Sequence, residues 1–256
     1  MIKDLNMPFQ FQFMAGTRKK HAFSLPERVP TGVDGLDLLI EGGFKRNSVI
    51  TVSGDPGSGK TTLAMQFLYN GAKKYKEPGI FISLEQSRSS LLDDLSRYGW
   101  NLEELERKRL LHFITLQPHE AENFQNHELV IRGLIEDTHA KRLVLDSATS
   151  LILAHNSDQK ARHALIRLMD RLRIWGVTSL LTAESVTDIH GNMQSPFKIE
   201  FLSDAVVYLY NMRRSNYRLH ALEIIKARGI STNNKMCPLK FDKNGISVFP
   251  NQTVFK

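Results

Sequence analysis

The chain has 256 residues, of which 41% are hydrophobic and 24% charged, a composition typical of a soluble globular protein. No apolar run approaches the roughly 18 residues of a membrane-spanning helix, and the N-terminal stretch MIKDLNMPFQFQFMAG lacks the apolar core of a signal peptide. With a single cysteine, Cys237, and a formal net charge of +7 that no long basic run concentrates, we expect a cytoplasmic protein with no membrane partner.

Two regions differ in their hydrophobic pattern. In residues 1–28, phenylalanines alternate with polar and basic residues and no helical period is visible, so we predict an N-terminal extension, or arm. Residues 29–256 alternate short apolar runs with amphipathic stretches, which indicates one α/β domain with a parallel sheet covered by helices.

Several strands and helices are predicted within the domain. The predicted parallel strands are SVITVSG (48–54), GIFISLE (79–85), RLVLDSA (142–148) and VTSLLTAES (177–185). The predicted helices are TTLAMQFLYNGAKKY, the stretch from Ser89 to Tyr98, a new start at Asn101 with Glu104 in a capping box, and a long helix capped by Asp158 and ended by Gly176. Residues 205–229 are predicted to form two strands joined by the turn RRSN.

The stretch SGDPGSGKTTL (53–63) has the spacing of a phosphate loop between a strand and a helix. Its glycines allow backbone N–H groups to converge on phosphate oxygens, Lys60 supplies a cation, and Thr61 offers a hydroxyl to Mg²⁺. The sequence therefore predicts ATP and Mg²⁺ as cofactors. The predicted nucleotide-binding residues are Gly54, Asp55, Pro56, Gly57, Ser58, Gly59, Lys60, Thr61 and Thr62.

Two carboxylates are candidates for the remaining chemistry. Asp146 ends the apolar strand LVLD and is predicted to act with Thr61 on the metal side; the alternative is that it caps the next helix. Glu85, at the end of GIFISLE, is predicted to polarise the attacking water; the alternative is a surface glutamate at a strand end. The residue types alone leave this choice open, but the order of loop, glutamate and aspartate is that of the RecA-like ATPases.

The chain also resembles the KaiC-type ATPases of that class from about Thr31 to Pro250. The stretches that carry the resemblance are QFLYNGA, EPGIFISLEQS, RYGWNLEEL, LVLDSATSL, LLTAES, EFLSDAVV, LEIIKARG and NGISVFP. The resemblance implies a RecA-like fold, with a mostly parallel central sheet flanked by helices and a C-terminal antiparallel hairpin. It also implies a homo-oligomeric ring, usually a hexamer, with slow ATP hydrolysis at subunit interfaces and with Lys226 and Arg228 reaching the γ-phosphate held by the neighbouring subunit.

The sequence departs from the pattern of this family at three places. Gln86 follows Glu85 where the family often has a second glutamate, and Ser185 follows Glu184 where an arginine is common. Glu200 and Phe201 occupy the positions of the Ser and Thr acceptors of the self-phosphorylating clock domain. We therefore expect hydrolysis that depends on one carboxylate, without autokinase activity of the clock type.

Two further functions stay open. A nucleic-acid-dependent ATPase of the recombinase or repair kind would explain the basic helix at 160–173 and the arginines of the RRSN turn. It is not favoured, because residues 185–203, where recombinases place DNA-binding loops, contain one lysine and no arginine. The other alternative is a nucleotide-dependent signalling scaffold with negligible turnover. A protein partner is expected in either the ATPase or the scaffold, but the sequence does not name it.

Overall fold

The computed structural model describes residues 27–117, 120, 124–187, 193–194, 196–232 and 235–254. The predicted arm at 1–28 lies outside these residues, apart from its last two. Within the described ranges, no helix combines the length and the apolar character needed to cross a membrane.

The strands and helices follow one another in the order of an α/β domain. The strands are β1 (Arg28–Val29), β2 (Phe44–Lys45), β3 (Val49–Gly54), β4 (Gly79–Ser83), β5 (Leu111–Thr115), β6 (Arg142–Asp146), β7 (Thr178–Glu184), β8 (Val186–Thr187), β9 (Met193–Gln194), β10 (Ala205–Arg214), β11 (Tyr217–Ala227), β12 (Cys237–Asp242) and β13 (Gly245–Val248). The α-helices are α1 (Leu36–Leu39), α2 (Lys60–Tyr75), α3 (Arg88–Leu95), α4 (Leu102–Arg107), α5 (Glu128–Thr138), α6 (Ala148–Leu153) and α7 (Asp158–Ile174). Short 3₁₀ turns span Ser96–Tyr98, Phe124–His127 and Pro196–Phe201.

Among the described residues, nine strands form one central sheet in the order β13-β12-β11-β10-β3-β7-β6-β4-β5. The six strands from β10 to β5 are parallel to one another, and β11, β12 and β13 add antiparallel strands at the other side. This topology confirms the predicted fold class, including the antiparallel hairpin that β10 and β11 form. Because parallel strands end at the same edge, β3, β4, β6 and β7 bring their carboxyl ends together there.

The sheet is buried on both faces, which explains the continuous apolar strands of the sequence. Along β3, Ile50 and Val52 pack into one core with α2, whereas Val49 faces the second core, to which α7 contributes. This alternation follows from the two-residue period of a strand. The phosphate loop, between β3 and α2, is thus anchored on both sides by buried apolar elements.

The structure corrects some predicted boundaries. The helix after β6 is the short α6, and the long α7 follows it with Ser157, not Asp158, as the N-cap that accepts a hydrogen bond from the Lys160 N–H. Asn101 caps α4 as predicted, because its side-chain oxygen accepts a hydrogen bond from the Glu104 N–H. The Glu104 carboxylate instead accepts from the Lys108 ammonium group, so only half of the capping box forms.

Candidate nucleotide-binding site

The phosphate loop lies at the carboxyl edge of the sheet, at the bottom of a cleft of about 590 Å³. Gly57 and Gly59 have φ angles of 74° and 100°, which L side chains rarely adopt. A Cβ on Gly59 would also lie 2.5 Å from the Phe241 ring, and a Cβ on Gly54 would lie 2.3 Å from the Leu209 carbonyl oxygen. The glycines are therefore required by backbone conformation and by close packing.

Lys60 begins α2 and lines the cleft. Its ammonium group donates hydrogen bonds to the carbonyl oxygens of Gly54 and Asp55, at 2.9 and 3.1 Å, so the side chain folds back over its own loop. Burial lowers the pKa of Lys60, and the surrounding carboxylates, first of all Glu184, oppose this shift. A partly desolvated cation at the N-terminus of α2 is suited to a phosphate anion.

Asp146 ends β6 next to the first turn of α2. Its carboxylate accepts a hydrogen bond of 2.9 Å from the Thr61 hydroxyl and a second one from the Thr182 hydroxyl. Burial raises the pKa of Asp146, and the two threonine hydrogen bonds oppose the shift. Ser147, not Asp146, caps α6, because the Ser147 Oγ accepts from the Ser150 N–H. The structure therefore removes the capping role that the sequence left open for Asp146.

Glu85 lies two residues beyond the end of β4 and lines the same cleft. Its Oε1 atom accepts hydrogen bonds from the Ser147 hydroxyl and, at 2.7 Å, from the Ser150 hydroxyl. Both donors belong to the first turn of α6 and its cap, so a rigid element fixes the carboxylate. Glu85 is exposed, but the two serine hydrogen bonds hold its carboxylate at the cleft, and this geometry favours a functional carboxylate over a free surface glutamate.

Several residues of the cleft wall are absent from the sequence-based site. Arg97, Tyr98, His220 and Phe241 line the cleft together with Glu184. The Arg97 guanidinium lies 5.1 Å from the centre of the Tyr98 ring, and the His220 and Phe241 rings meet edge to face at 5.0 Å. Arg97 and Tyr98 belong to the quoted stretch RYGWNLEEL, a signal that was present. His220 and Phe241 come from separate strands, and no local motif marks them.

The residues fit Mg²⁺ and a triphosphate. Thr61 and Asp146 offer a hydroxyl and a carboxylate within hydrogen-bond distance of each other, and Mg²⁺ characteristically uses one or two carboxylates together with phosphate oxygens and water. No group of three His, Cys, Asp or Glu side chains in the described ranges is placed to hold a metal, in keeping with such a sparse protein ligand set. Ser58 is 1% exposed, and its hydroxyl has no hydrogen-bond partner among the described residues, which leaves a buried polar atom in the loop for a ligand.

Lys226 and Arg228 do not line the cleft. β11 is antiparallel to β10, so its end lies toward the opposite edge of the sheet; Lys226 pairs with Val206, which pairs with Thr51. The Arg228 N–H donates to the Asp204 carbonyl oxygen, and the Asp204 N–H donates to the Val49 carbonyl oxygen, so Arg228 lies at the level of Val49 in the sheet. Val49 precedes Gly54 by five residues, which corresponds to about 16 Å along a strand. Neither cation is brought to the phosphate loop of the same chain.

The two cations also have local partners. The Lys226 ammonium donates to the carbonyl oxygens of Glu200 and Ser203, at 3.2 and 2.7 Å, and burial, together with the nearby Arg228, lowers the Lys226 pKa. Arg228 is 61% exposed at its side chain and lies 3.6 Å from an Asp204 oxygen. Of the two, Arg228 is the one with a side chain free to extend from the surface.

A family model described as "ATPase: KaiC" matches residues 29–253. The chain belongs to the KaiC ATPase family. It is 32% identical over 231 residues to the circadian clock oscillator protein KaiC of Prochlorococcus marinus (strain MIT 9313), covering 88% of this chain and 46% of that protein. The KaiC of Parathermosynechococcus lividus is 34% identical over 227 residues, covering 86% of this chain and 42% of that protein.

A solved structure of a KaiC-like protein from the hyperthermophilic archaeon Pyrococcus horikoshii OT3 superimposes with a TM-score of 0.79 at 32% identity. The match covers 88% of this chain and 100% of that one. By contrast, this chain spans less than half the length of the clock proteins it matches. The resemblance to a KaiC-type ATPase with a RecA-like fold is thus confirmed.

Proposed function

We propose that this chain is a KaiC-type ATPase that binds ATP with Mg²⁺ in the phosphate-loop cleft and hydrolyses it slowly. The observation that carries the proposal is the convergence of the Thr61–Asp146 pair and the serine-bound Glu85 on a single cleft with the phosphate loop. ATP supplies the γ-phosphoryl group and Mg²⁺ supplies positive charge beside it; every other role falls to the protein.

The residues divide these roles by position. The loop N–H groups and Lys60 would bind the phosphates in the ground state, which requires donors and a cation and no proton transfer. Glu85, held by Ser147 and Ser150, would accept a proton from the attacking water and fix its orientation. Because no second carboxylate follows Glu85, this role rests on one side chain.

The second part of the proposal is that the chain assembles into a ring with ATP between subunits. The phosphate loop and Glu85 approach the triphosphate from one subunit, and the geometry of β11 keeps Arg228 away from that subunit's own loop. We infer that the Arg228 of one subunit, with Lys226 beside it, acts on ATP held by the next in a homo-oligomeric ring, usually a hexamer in this family. An arginine supplied in trans is worth roughly 10³- to 10⁵-fold in rate in related phosphate-loop enzymes.

Two variants test the assignment of roles within the cleft. Lys60→Ala should abolish tight ATP binding, whereas Glu85→Gln should leave binding largely intact and stop hydrolysis. Glu103→Gln, which neutralises an exposed carboxylate in the first turn of α4, is the matched control and should behave as wild type. ATP binding by calorimetry and phosphate release should be measured on all three. Equal loss of binding in Lys60→Ala and Glu85→Gln would contradict the division of roles.

The signalling-scaffold alternative differs from this proposal in turnover. A scaffold would bind ATP with the same loop, but Glu85→Gln would then change nothing, because no water is activated. Multiple turnovers in wild type that Glu85→Gln removes would therefore exclude the scaffold.

A further inference from the structure

The hairpin formed by β10 and β11 extends beyond the central sheet. β10 pairs with β3 only from Ala205 to Leu209, and β12 pairs with β11 at Ala221 and Leu222. Residues 210–214 and 217–220 are therefore paired only with each other among the described strands. The last residue of β10 in the hydrophobic core that includes α2 is Leu209, and the first of β11 is Leu222. The projecting part of the hairpin therefore contributes no residue to this core.

Two arginines face each other near the tip of this hairpin. Arg213 and Arg218 are direct partners in the antiparallel register, and both are exposed. Like charges directly opposite each other destabilise a strand pair. Neither guanidinium has an ion pair or a side-chain hydrogen bond within the described part of the chain. The pair therefore costs stability, and no partner among the described residues offsets the cost.

The tip also presents polar and aromatic groups. Arg213, Arg218 and the turn residues Ser215 and Asn216 line a concavity of about 410 Å³, together with Tyr217. Tyr217 is 61% exposed at the start of β11, so its ring is accessible from solvent. None of these described lining residues is acidic, so the two arginines give the concavity a net positive charge.

The tip is distinct from the nucleotide cleft. On the same face of the hairpin, Asn211 and His220 form the preceding pair; Asn211 donates to the Pro56 carbonyl oxygen and His220 lines the cleft. On that face Arg213 and Arg218 form the next pair toward the turn, and they do not line the cleft. A ligand at the tip would thus lie beside the ATP site without occupying it.

We propose that this hairpin tip binds single-stranded nucleic acid, with Arg213 and Arg218 on the phosphate backbone and Tyr217 stacked on a base. Two forked guanidiniums suit phosphate oxygens, and an exposed tyrosine ring suits the face of a base. An acidic peptide would use the arginines but would leave the Tyr217 ring without a role. The proposal differs from a recombinase-type loop, because it places the contact on the hairpin instead of residues 185–203.

Binding of a fluorescein-labelled 20-mer of deoxythymidine to the full chain, followed by anisotropy between 50 and 200 mM KCl, tests the proposal. Arg213→Gln/Arg218→Gln should weaken binding at least tenfold at the low salt concentration. It should also flatten the slope of log affinity against log salt by about 1.4, for two lost phosphate contacts. Arg162→Gln/Arg167→Gln, which removes the same charge from the exposed face of α7, is the matched control and should change affinity less than twofold.

Variants of Tyr217 and a peptide competitor test whether the ligand is a nucleic acid or an acidic peptide. Tyr217→Ala should weaken oligonucleotide binding about fivefold or more, whereas Tyr217→Phe, which keeps the ring, should bind as wild type. Polyglutamate of 20 residues should compete poorly.

Three results would overturn the proposal: no binding by wild type, equal losses in the α7 control, or polyglutamate that competes as well as unlabelled oligonucleotide with no effect of Tyr217→Ala. Lys60→Ala should keep oligonucleotide binding, so a failure here and a failure of the proposed ATPase can be told apart.

Discussion

The clearest consequence of the site is that Asp146→Asn should stabilise the nucleotide-free protein while abolishing Mg²⁺-dependent hydrolysis. Asp146 is 5% exposed, and burial raises the pKa of its carboxyl group, which means that the fold disfavours the charged form. A group with a raised pKa in the folded state contributes stability that is present below its unfolded pKa and is lost as pH rises through the folded pKa. At neutral pH the buried charge therefore costs stability.

The size of the effect follows from two opposing contributions. Thr61 and Thr182 donate to different oxygens of the carboxylate. In Asp146→Asn one hydroxyl keeps a neutral carbonyl acceptor, and the other must rotate to accept from the new NH2 group, so each bond weakens by about 1 kcal/mol, or about 2 kcal/mol in total. Against this stands the desolvation penalty of a buried ion, which is several kcal/mol. The net gain is on the order of 1 kcal/mol, or roughly 2–4 °C in melting temperature for a chain of this size.

The assay is calorimetric unfolding in EDTA without nucleotide, at a series of pH values. Asp146→Asn should unfold at a higher temperature than wild type at neutral pH, and the difference should shrink as pH falls. The exposed Asp93→Asn is the matched control and should stay within about 0.5 kcal/mol of wild type. If Asp146→Asn were less stable than wild type at neutral pH, Asp146 would be a structural carboxylate and not one retained at a cost for a metal.

Two smaller changes test the rigid support of the cleft. Ser150→Ala should lower kcat roughly fivefold, or about 1 kcal/mol, at unchanged KM, because one hydrogen-bond donor to Glu85 is lost. Ser150→Thr keeps a hydroxyl and should restore kcat. An equal loss of kcat in both variants would contradict a role for the hydroxyl. Gly59→Ala should weaken ATP binding at least tenfold in calorimetry, since its Cβ displaces the Phe241 ring. Gly176→Ala, which has a positive φ but open space, should lose only about 1 kcal/mol of stability and bind ATP normally, and similar binding by both variants would refute the close-packing argument.

Local sequence signals located the loop and both carboxylates because each of them belongs to one strand end. A glycine-rich stretch between an apolar strand and an amphipathic helix is visible within about 20 residues, and parallel topology then brings Asp146 and Glu85 to the same edge. The orientation of Glu85 was not predictable, because it depends on hydroxyls of α6, and α6 was missed between β6 and the long α7.

The parts that were missed depend on long-range packing. β5 and α5 were not predicted, nor was the β12–β13 pair, whose Phe241 packs on Gly59 across more than half the chain. The hairpin of β10 and β11 was predicted, but His220 reaches the cleft because β10 lies beside β3, a long-range placement that the hairpin sequence does not encode. The local bonds of the Lys226 ammonium to the carbonyl oxygens of Glu200 and Ser203 were likewise invisible in the motif KARG.

The most direct test of the proposed inter-subunit site is the ATPase activity of mixtures of two inactive variants, Arg228→Ala and Lys60→Ala, with subunit exchange verified by native mass spectrometry. Arg228→Ala should retain ATP binding and lose most turnover, and Lys60→Ala should lose both. In a mixed ring, some interfaces would pair the intact phosphate loop of an Arg228→Ala subunit with the intact Arg228 of a Lys60→Ala neighbour. Partial recovery of hydrolysis is expected in verified mixtures; no recovery would mean that Arg228 does not act on a neighbouring subunit's ATP.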